Sequence, residues 1–172
     1  MIYLFGVIAL MALFGGSGGF VFPLRDAKKR YYLPKTFGGD FWNTSWNFGA
    51  SRGGHGHAGI DLVPRTTPKT TADLAQHEIL SYGSGVVKNS SYNATYGYII
   101  EIHHTSGLKT RYVHLSKSFV KNGQSVSAGQ KIGLMGYLGS SPNNISGSHL
   151  HFEIYVNGKA EDPTKHLKQV LQ

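Results

Sequence analysis

The stretch SHLHFEIYV (Ser148–Val156) sets His149 and His151 one residue apart. Upstream, GGHGHAGIDLV (Gly53–Val63) holds His57 and Asp61 in an H-x-G-x-D pattern, and RYVHLS holds His114. Imidazole nitrogen and carboxylate oxygen are the ligands that Zn2+ takes where thiolates are missing, and the chain has no cysteine. That absence also excludes disulfides, a thiol nucleophile and a lipid-modified N-terminal Cys. A catalytic zinc site needs three protein ligands and one open position. His57, Asp61 and one histidine of the pair make three, and the glycine between His57 and Asp61 is expected to let the backbone turn tightly. The other histidine and His114 remain to handle protons, work that suits an imidazole pKa of about 6.5. His55 competes with His57 for the ligand role, but only His57 has the x-G-x-D spacing. No H-E-x-x-H pattern is present.

These residues must sit on elements that aim them. His149, His151, Glu153 and Tyr155 alternate with Leu150, Phe152, Ile154 and Val156, the signature of a half-buried strand. Both histidines then share one face, with Cα atoms about 7 Å apart, while Leu150 and Phe152 enter a core. At that spacing both rings can reach one ion, or one can bind it while the other faces a substrate. From Ile60 onward short strand-like runs recur between turn signals: GSGVVKNSSY, YGYIIEIHHTSG, LKTRYVHLS and GQKIGLMGYLG. The pattern predicts a mainly β fold, a single antiparallel sheet or sandwich. Only DPTKHLKQVL (Asp162–Leu171) reads as helical, a short C-terminal helix.

With 172 residues there is room for one domain with a real core. Abundant glycine and tyrosine fit a turn-rich β protein. Lys and Arg outnumber Asp and Glu 17 to 9, a net charge of +8, which calls for an anionic partner. A bacterial wall with its anionic polymers meets that need. Nucleic acid is not expected, because the basic residues are scattered rather than clustered and a nucleic-acid reading leaves the His/Asp constellation unexplained.

Residues 1–24 carry no charge, and Ile2–Phe14 is a 13-residue apolar run followed by GGSGG. The run has the apolar length of a signal peptide but lacks its basic start, and it is too short to span a membrane. The first charges come in RDAKKR (Arg25–Arg30). Three parts are expected: residues 1–24 as an anchor, plug or atypical signal, 25–52 as an irregular lead-in, and 53–172 as the domain with the site.

Taken together, H-x-G-x-D, the isolated H-L-S and H-L-H-F-E-I resemble the lysostaphin/LytM family of zinc endopeptidases that cleave peptidoglycan peptides. The likeness runs from about Gly53 to Leu167. It includes GSGVV, YGYIIEIHH, TRYVHLS, VKNGQSVSAGQKIG (Val120–Gly133) and DPTKHL. It implies one zinc ion held by His57, Asp61 and His151, with His114 and His149 as catalytic residues, and a groove that takes a thin peptide. Two segments depart from the family pattern, SSPNNISGS (Ser140–Ser148) and the expanded Arg65–Glu78, so cleavage specificity is not carried over. A degenerate relative that only grips or regulates the wall is the alternative, and all five implied positions are filled. The resemblance places the protein outside the cytoplasm, acting on the cell wall. The unusual N-terminus is read as the mark of a virion-associated lysin at a bacteriophage tail tip. Residues 1–24 would then meet other tail proteins or a membrane, and secretion through an atypical signal peptide is the rival.

Overall fold

The structure, a computed structural model, describes residues 19–33, 46–137 and 147–171. In chain order it holds a single helical turn α1 (Ala27–Arg30), strand β1 (Tyr31–Tyr32), a hairpin of β2 (Ser51–Arg52) and β3 (His55–Gly56), and β4 (Ile60–Pro64). The turn α2 (Thr71–Leu74) and β5 (Glu78–Leu80) follow, then the hairpin β6 (Gly85–Asn93) and β7 (Gly97–His103). The chain continues through β8 (Leu108–Ser118), β9 (Ser125–Val126), β10 (Lys131–Met135), β11 (Leu150–Val156), β12 (Lys159–Glu161) and α3 (Pro163–Leu167).

Ten of these strands form one antiparallel sheet in the order β1-β4-β11-β8-β7-β6-β9, with β12 on β11 and β10 joining β8 to β5. The mainly β class and the short C-terminal helix are as the sequence indicated. The cause is visible in β11: Leu150, Phe152 and Ile154 are fully buried while His151 and Tyr155 face the open side. Phe152 packs on Tyr112 and Tyr82 at ring distances of 5.2 and 6.2 Å. Helix α3 starts where Asp162 accepts the Thr164 N–H and Pro163 opens the first turn, a placement in which proline forfeits no helical hydrogen bond.

Two features depart from the sequence reading. Helices α1 and α2 exist besides α3; at four residues each they are too short to show a 3.6-residue period. Turn α2 is held by a reciprocal cap between Thr70 and Asp73. The lead-in at 25–52, read as irregular, contains α1, β1 and β2, and β2 pairs with β3 just beyond it. Such two-residue strands carry no alternation to read. Strand β1 pairs with β4, Tyr31 opposite Pro64 and Tyr32 opposite Val63. Just before it, Val21 donates to the Tyr82 carbonyl, Leu80 donates to Pro23, and Phe22 and Leu24 are buried. Residues 20–33 therefore pack on the sheet. Most of the apolar segment, residues 1–18, lies outside the described residues, as do 34–45 and 138–146 of the two connecting stretches. No helix among the described residues is long and apolar enough to cross a membrane.

Gly59 of the H-x-G-x-D pattern does a different job from the tight turn expected of it. Its φ is not among the positive ones. What matters is proximity: a Cβ at Gly59 would lie 2.3 Å from the Phe152 carbonyl oxygen and 2.9 Å from Glu153 Cγ. The missing side chain lets β4 lie against β11, so that Asp61 and His151 become direct partners in register. Gly59→Ala should therefore cost about 1–3 kcal/mol through overpacking and pry β4 and β11 apart. A urea denaturation midpoint equal to that of the parent would contradict this.

Candidate functional site

The open face of the sheet forms the floor of a cavity of about 1040 Å³ whose lining includes His57, Asp61, His114, His149 and His151. Strand β4 supplies Asp61, and β11 supplies His151 directly across from it. His57 comes from the segment between the β2–β3 hairpin and β4, pinned by backbone bonds to Ala50 and Gly49. His149 sits just before β11, where it bridges to Gly136.

His114 arrives by a different route. In β8, Tyr112 and Leu115 both face the core, although strict alternation would put them on opposite faces. A bulge resolves the parity. Between the pairs Tyr98↔Leu115 and Ile100↔Tyr112, β8 spends two residues, Val113 and His114, where β7 spends one. His114 takes a left-handed backbone with φ 67°, a region uncommon outside glycine that histidine enters more readily than most side chains. Its N–H donates to the Tyr96 carbonyl. The bulge turns both Val113 and His114 into the cavity, a use of bulges seen where a side chain has to be re-aimed.

Three donor atoms converge. His151 Nδ1 lies 2.9 Å from Asp61 Oδ1 and 2.9 Å from His57 Nε2, and His57 Nε2 lies 3.2 Å from the same Asp61 oxygen. The set lies within 4.8 Å and could hold a metal ion. The other polar atom of each of the three side chains already has a partner. His57 Nδ1 donates to the Asn47 carbonyl at 2.9 Å, Arg52 donates to Asp61 Oδ2, and His151 Nε2 donates to Glu153 Oε1 at 2.8 Å. Such outer bonds select the tautomer and leave one lone pair on each group aimed at the common centre. Two nitrogens and one carboxylate oxygen, all oriented, are a donor set that fits Zn2+.

Glu153 is itself held, by Tyr155 Oη at 2.8 Å and Arg111 Nη1 at 3.3 Å. Arg111 faces Glu153 across the β8–β11 pair and Glu101 across the β7–β8 pair. Burial alone would raise the Glu153 pKa. The hydrogen bond from His151, together with the charges of His151 and Arg111, brings it down to about 2. For Asp61, burial is likewise outweighed by hydrogen bonds from His151 and His57, which keep the carboxyl well below the usual carboxylate range.

The two other imidazoles stand beside this centre. The His114 and His149 rings are 4.8 Å apart, and His149 Nε2 is 3.9 Å from Asp61 Oδ1. His149 Nδ1 donates to Gly147 and His114 Nδ1 to Tyr96, so Nε2 is the available nitrogen of each. Burial, with the charges of His149 and His151, pushes the His114 pKa down to about 3; burial also lowers His149. His151 moves the other way, because Asp61 and Glu153 outweigh its burial.

The linkage has a sign. His114, His149, His77 and His104 are all held below the ordinary imidazole value of 6.5. Their stabilisation is complete above that value and is lost as pH falls toward the folded pKa. The depressed Asp61 and Glu153 add to the loss below about pH 4. His151 opposes it, since a raised pKa stabilises below 6.5. The metal-free protein should therefore unfold at lower urea at pH 5 than at pH 7. Equal midpoints would show that the buried imidazoles do not dominate.

Of the remaining histidines, His55 lines the cavity from β3, but it is His57 that joins the convergent set. His77 is buried against the Tyr31 hydroxyl at 2.7 Å, His104 bonds Thr110, and His103 and His166 pair with Glu101 and Glu161. Sequence reasoning missed Arg52, Glu153 and Arg111. Glu153 was within reach, being two residues beyond His151 on the same strand face. Arg52 and Arg111 carried no spacing signal.

The chain is also similar to known proteins. The model of peptidase family M23 matches residues 55–163. The peptidoglycan DD-endopeptidase ShyC of Vibrio cholerae is 39% identical over 108 residues, 62% of this chain and 22% of its own length. The murein hydrolase activator NlpD of Salmonella dublin is 34% identical over 123 residues, 72% of this chain and 29% of its own. This chain thus spans less than a third of either relative. Among solved structures, a zinc-containing peptidase from Vibrio cholerae superposes with a TM-score of 0.60 at 31% identity, covering 85% of this chain and 39% of that one.

Proposed function

This chain belongs to peptidase family M23, and from that premise we propose that it is a zinc-dependent endopeptidase that hydrolyses peptide bonds in bacterial peptidoglycan. The observation that carries the reading is the convergence of His57 Nε2, Asp61 Oδ1 and His151 Nδ1 beside two imidazoles that each keep one nitrogen available. In this reading His57, Asp61 and His151 hold the ion. Bound there, zinc supplies Lewis acidity toward a peptide carbonyl and toward water.

The chain's own residues do the rest. His114 and His149 line one wall of the cavity with Nε2 available, placed to accept the proton of an attacking water and to deliver one to the departing amine. Whichever is protonated also steadies negative charge on the carbonyl oxygen. Their lowered pKa values keep both neutral at pH 7, so both begin as acceptors. The site is assigned to residues 53–172, with β1 and its neighbours walling the groove, and the place of action is the cell wall outside the cytoplasm. A virion-tail location rests on residues 1–24 alone, most of which lie outside the described residues, and the relatives named above are bacterial proteins.

The test is release of new peptide ends. The zinc-loaded chain, incubated with purified sacculi, should yield muropeptides with fresh amino termini by mass spectrometry, and chelation should stop it. Sacculi left unchanged would overturn the reading. The likeness to an activator sustains a second reading, regulation of another hydrolase; the complete donor and imidazole set favours hydrolysis. A further expectation concerns Glu153. Glu153→Gln keeps the shape but lets the amide present either donor or acceptor to His151 Nε2. Zinc affinity, measured by chelator competition, should weaken about 10- to 100-fold; unchanged affinity would deny Glu153 an orienting role.

A further inference from the structure

Three large apolar side chains stand exposed among the described residues, those of Tyr92, Tyr96 and Phe119, and of these Tyr96 alone lines the cavity. It is 48% exposed, and its ring centre lies 6.2 Å from that of His114. An aromatic ring left half in water beside a reacting centre keeps a broad apolar face for a ligand to cover.

The fold fixes Tyr96 through its backbone. The residue ends the three-residue turn 94–96 of the β6–β7 hairpin. Asn93 Oδ1 accepts the N–H groups of Thr95 and Tyr96 at 2.8 and 3.1 Å, the local bonding that asparagine brings to turns. Gly97 follows with φ 71°, and a Cβ there would lie 2.8 Å from the Leu115 carbonyl oxygen, so the bare Cα lets the turn lie against the bulge of β8. The Tyr96 carbonyl then accepts twice from His114, from its backbone N–H at 3.0 Å and from its Nδ1–H at 3.2 Å. The carbonyl is thus committed to His114 and the ring is left to the cavity. One residue of extended peptide covers about 3.3 Å. A chain whose scissile bond is served by His114 therefore has its next one or two residues at the distance of this ring.

We propose that Tyr96 is a substrate-positioning residue. Its ring face carries the peptide residue one or two places from the scissile bond, on the side served by His114, while its carbonyl holds His114 in the tautomer that leaves Nε2 available. This deepens the endopeptidase reading and rests on it. The two contributions fall on different constants. Contact with the ring is made equally before and during the reaction, so it acts on KM. The hold on His114 counts when a proton moves, so it acts on kcat.

The experiment uses the full zinc-loaded chain and cross-linked muropeptides solubilised from sacculi. Cleavage is followed by mass spectrometry and binding by titration, with zinc content and thermal midpoints showing that each variant is loaded and folded. Tyr96→Ala removes the ring and keeps the carbonyl; KM should rise roughly ten- to fiftyfold while kcat stays within about threefold. Tyr96→Phe keeps the face and should restore most of the lost affinity. Asn93→Ala keeps the ring and frees the turn; kcat should fall about tenfold or more while KM changes less. A parental KM in Tyr96→Ala overturns the ring contact and leaves the endopeptidase reading standing. Tyr96→Phe as weak as Tyr96→Ala also overturns it, by moving the effect to the hydroxyl. A parental kcat in Asn93→Ala overturns the hold on His114. If the parent cleaves no muropeptide, tighter binding by the parent than by Tyr96→Ala supports the ring contact and overturns hydrolysis, and equal binding overturns both.

Discussion

His151→Ala should lose bound zinc and wall-lytic activity together. The side chain offers Nδ1 to the common centre, 2.9 Å from both Asp61 Oδ1 and His57 Nε2. Its loss leaves two ligands where a catalytic zinc site needs three. It also takes from the buried Glu153 the hydrogen bond that His151 Nε2 donates, and a buried carboxylate that loses a donor is destabilising. The variant should therefore be destabilised as well as metal-free. Asp61→Ala should behave similarly in zinc content and leave the Arg52 guanidinium without its carboxylate. Metal analysis after dialysis provides the check. Full zinc content in either variant, with lysis intact, would overturn the ligand assignment.

The second large effect separates catalysis from metal binding. His149→Ala and His114→Ala should keep zinc near the parent level while turnover on sacculi falls about 10²- to 10⁴-fold, the usual contribution of a positioned proton carrier. The geometry supports the split. Neither Nε2 belongs to the convergent set, yet both rings stand beside it, at 4.8 Å from one another and, for His114, 6.0 Å from His151. His149 is the sharper case, because it lies two residues from His151 on the same strand face. Equal zinc loss in His149→Ala and His151→Ala would show that both rings are ligands. Unchanged turnover in His114→Ala would show that the bulge in β8 serves packing alone.

Much of the molecule was legible because its signals are local. Alternation in Leu150–Val156 set one face toward the core and one toward the cavity, and the structure has that arrangement. The run DPTKHLKQVL read as a short C-terminal helix, and α3 occupies Pro163–Leu167 within it. The residues of the site were nameable because each sits in a short pattern of its own, His57 and Asp61 in one, His149 and His151 in another. What could not be read were elements of two to four residues, such as β1, the β2–β3 hairpin, α1 and α2. Their stability comes from neighbours far along the chain, and periodicity needs more residues than they have.

The sequence by itself determined the chemistry on offer: imidazoles and a carboxylate, no thiol, on strands with one apolar face. Tertiary structure decided how they meet. Register between β4 and β11, made possible by the bare Cα of Gly59, puts Asp61 opposite His151. A single extra residue in β8 turns His114 out of the core and into the cavity. Arg52, Arg111 and Tyr32 reach the cavity from elements that share no spacing with His57, Asp61 or His151. Pairing between distant strands is a property of the packed sheet, set by which faces can be buried together. No window of the chain contains it.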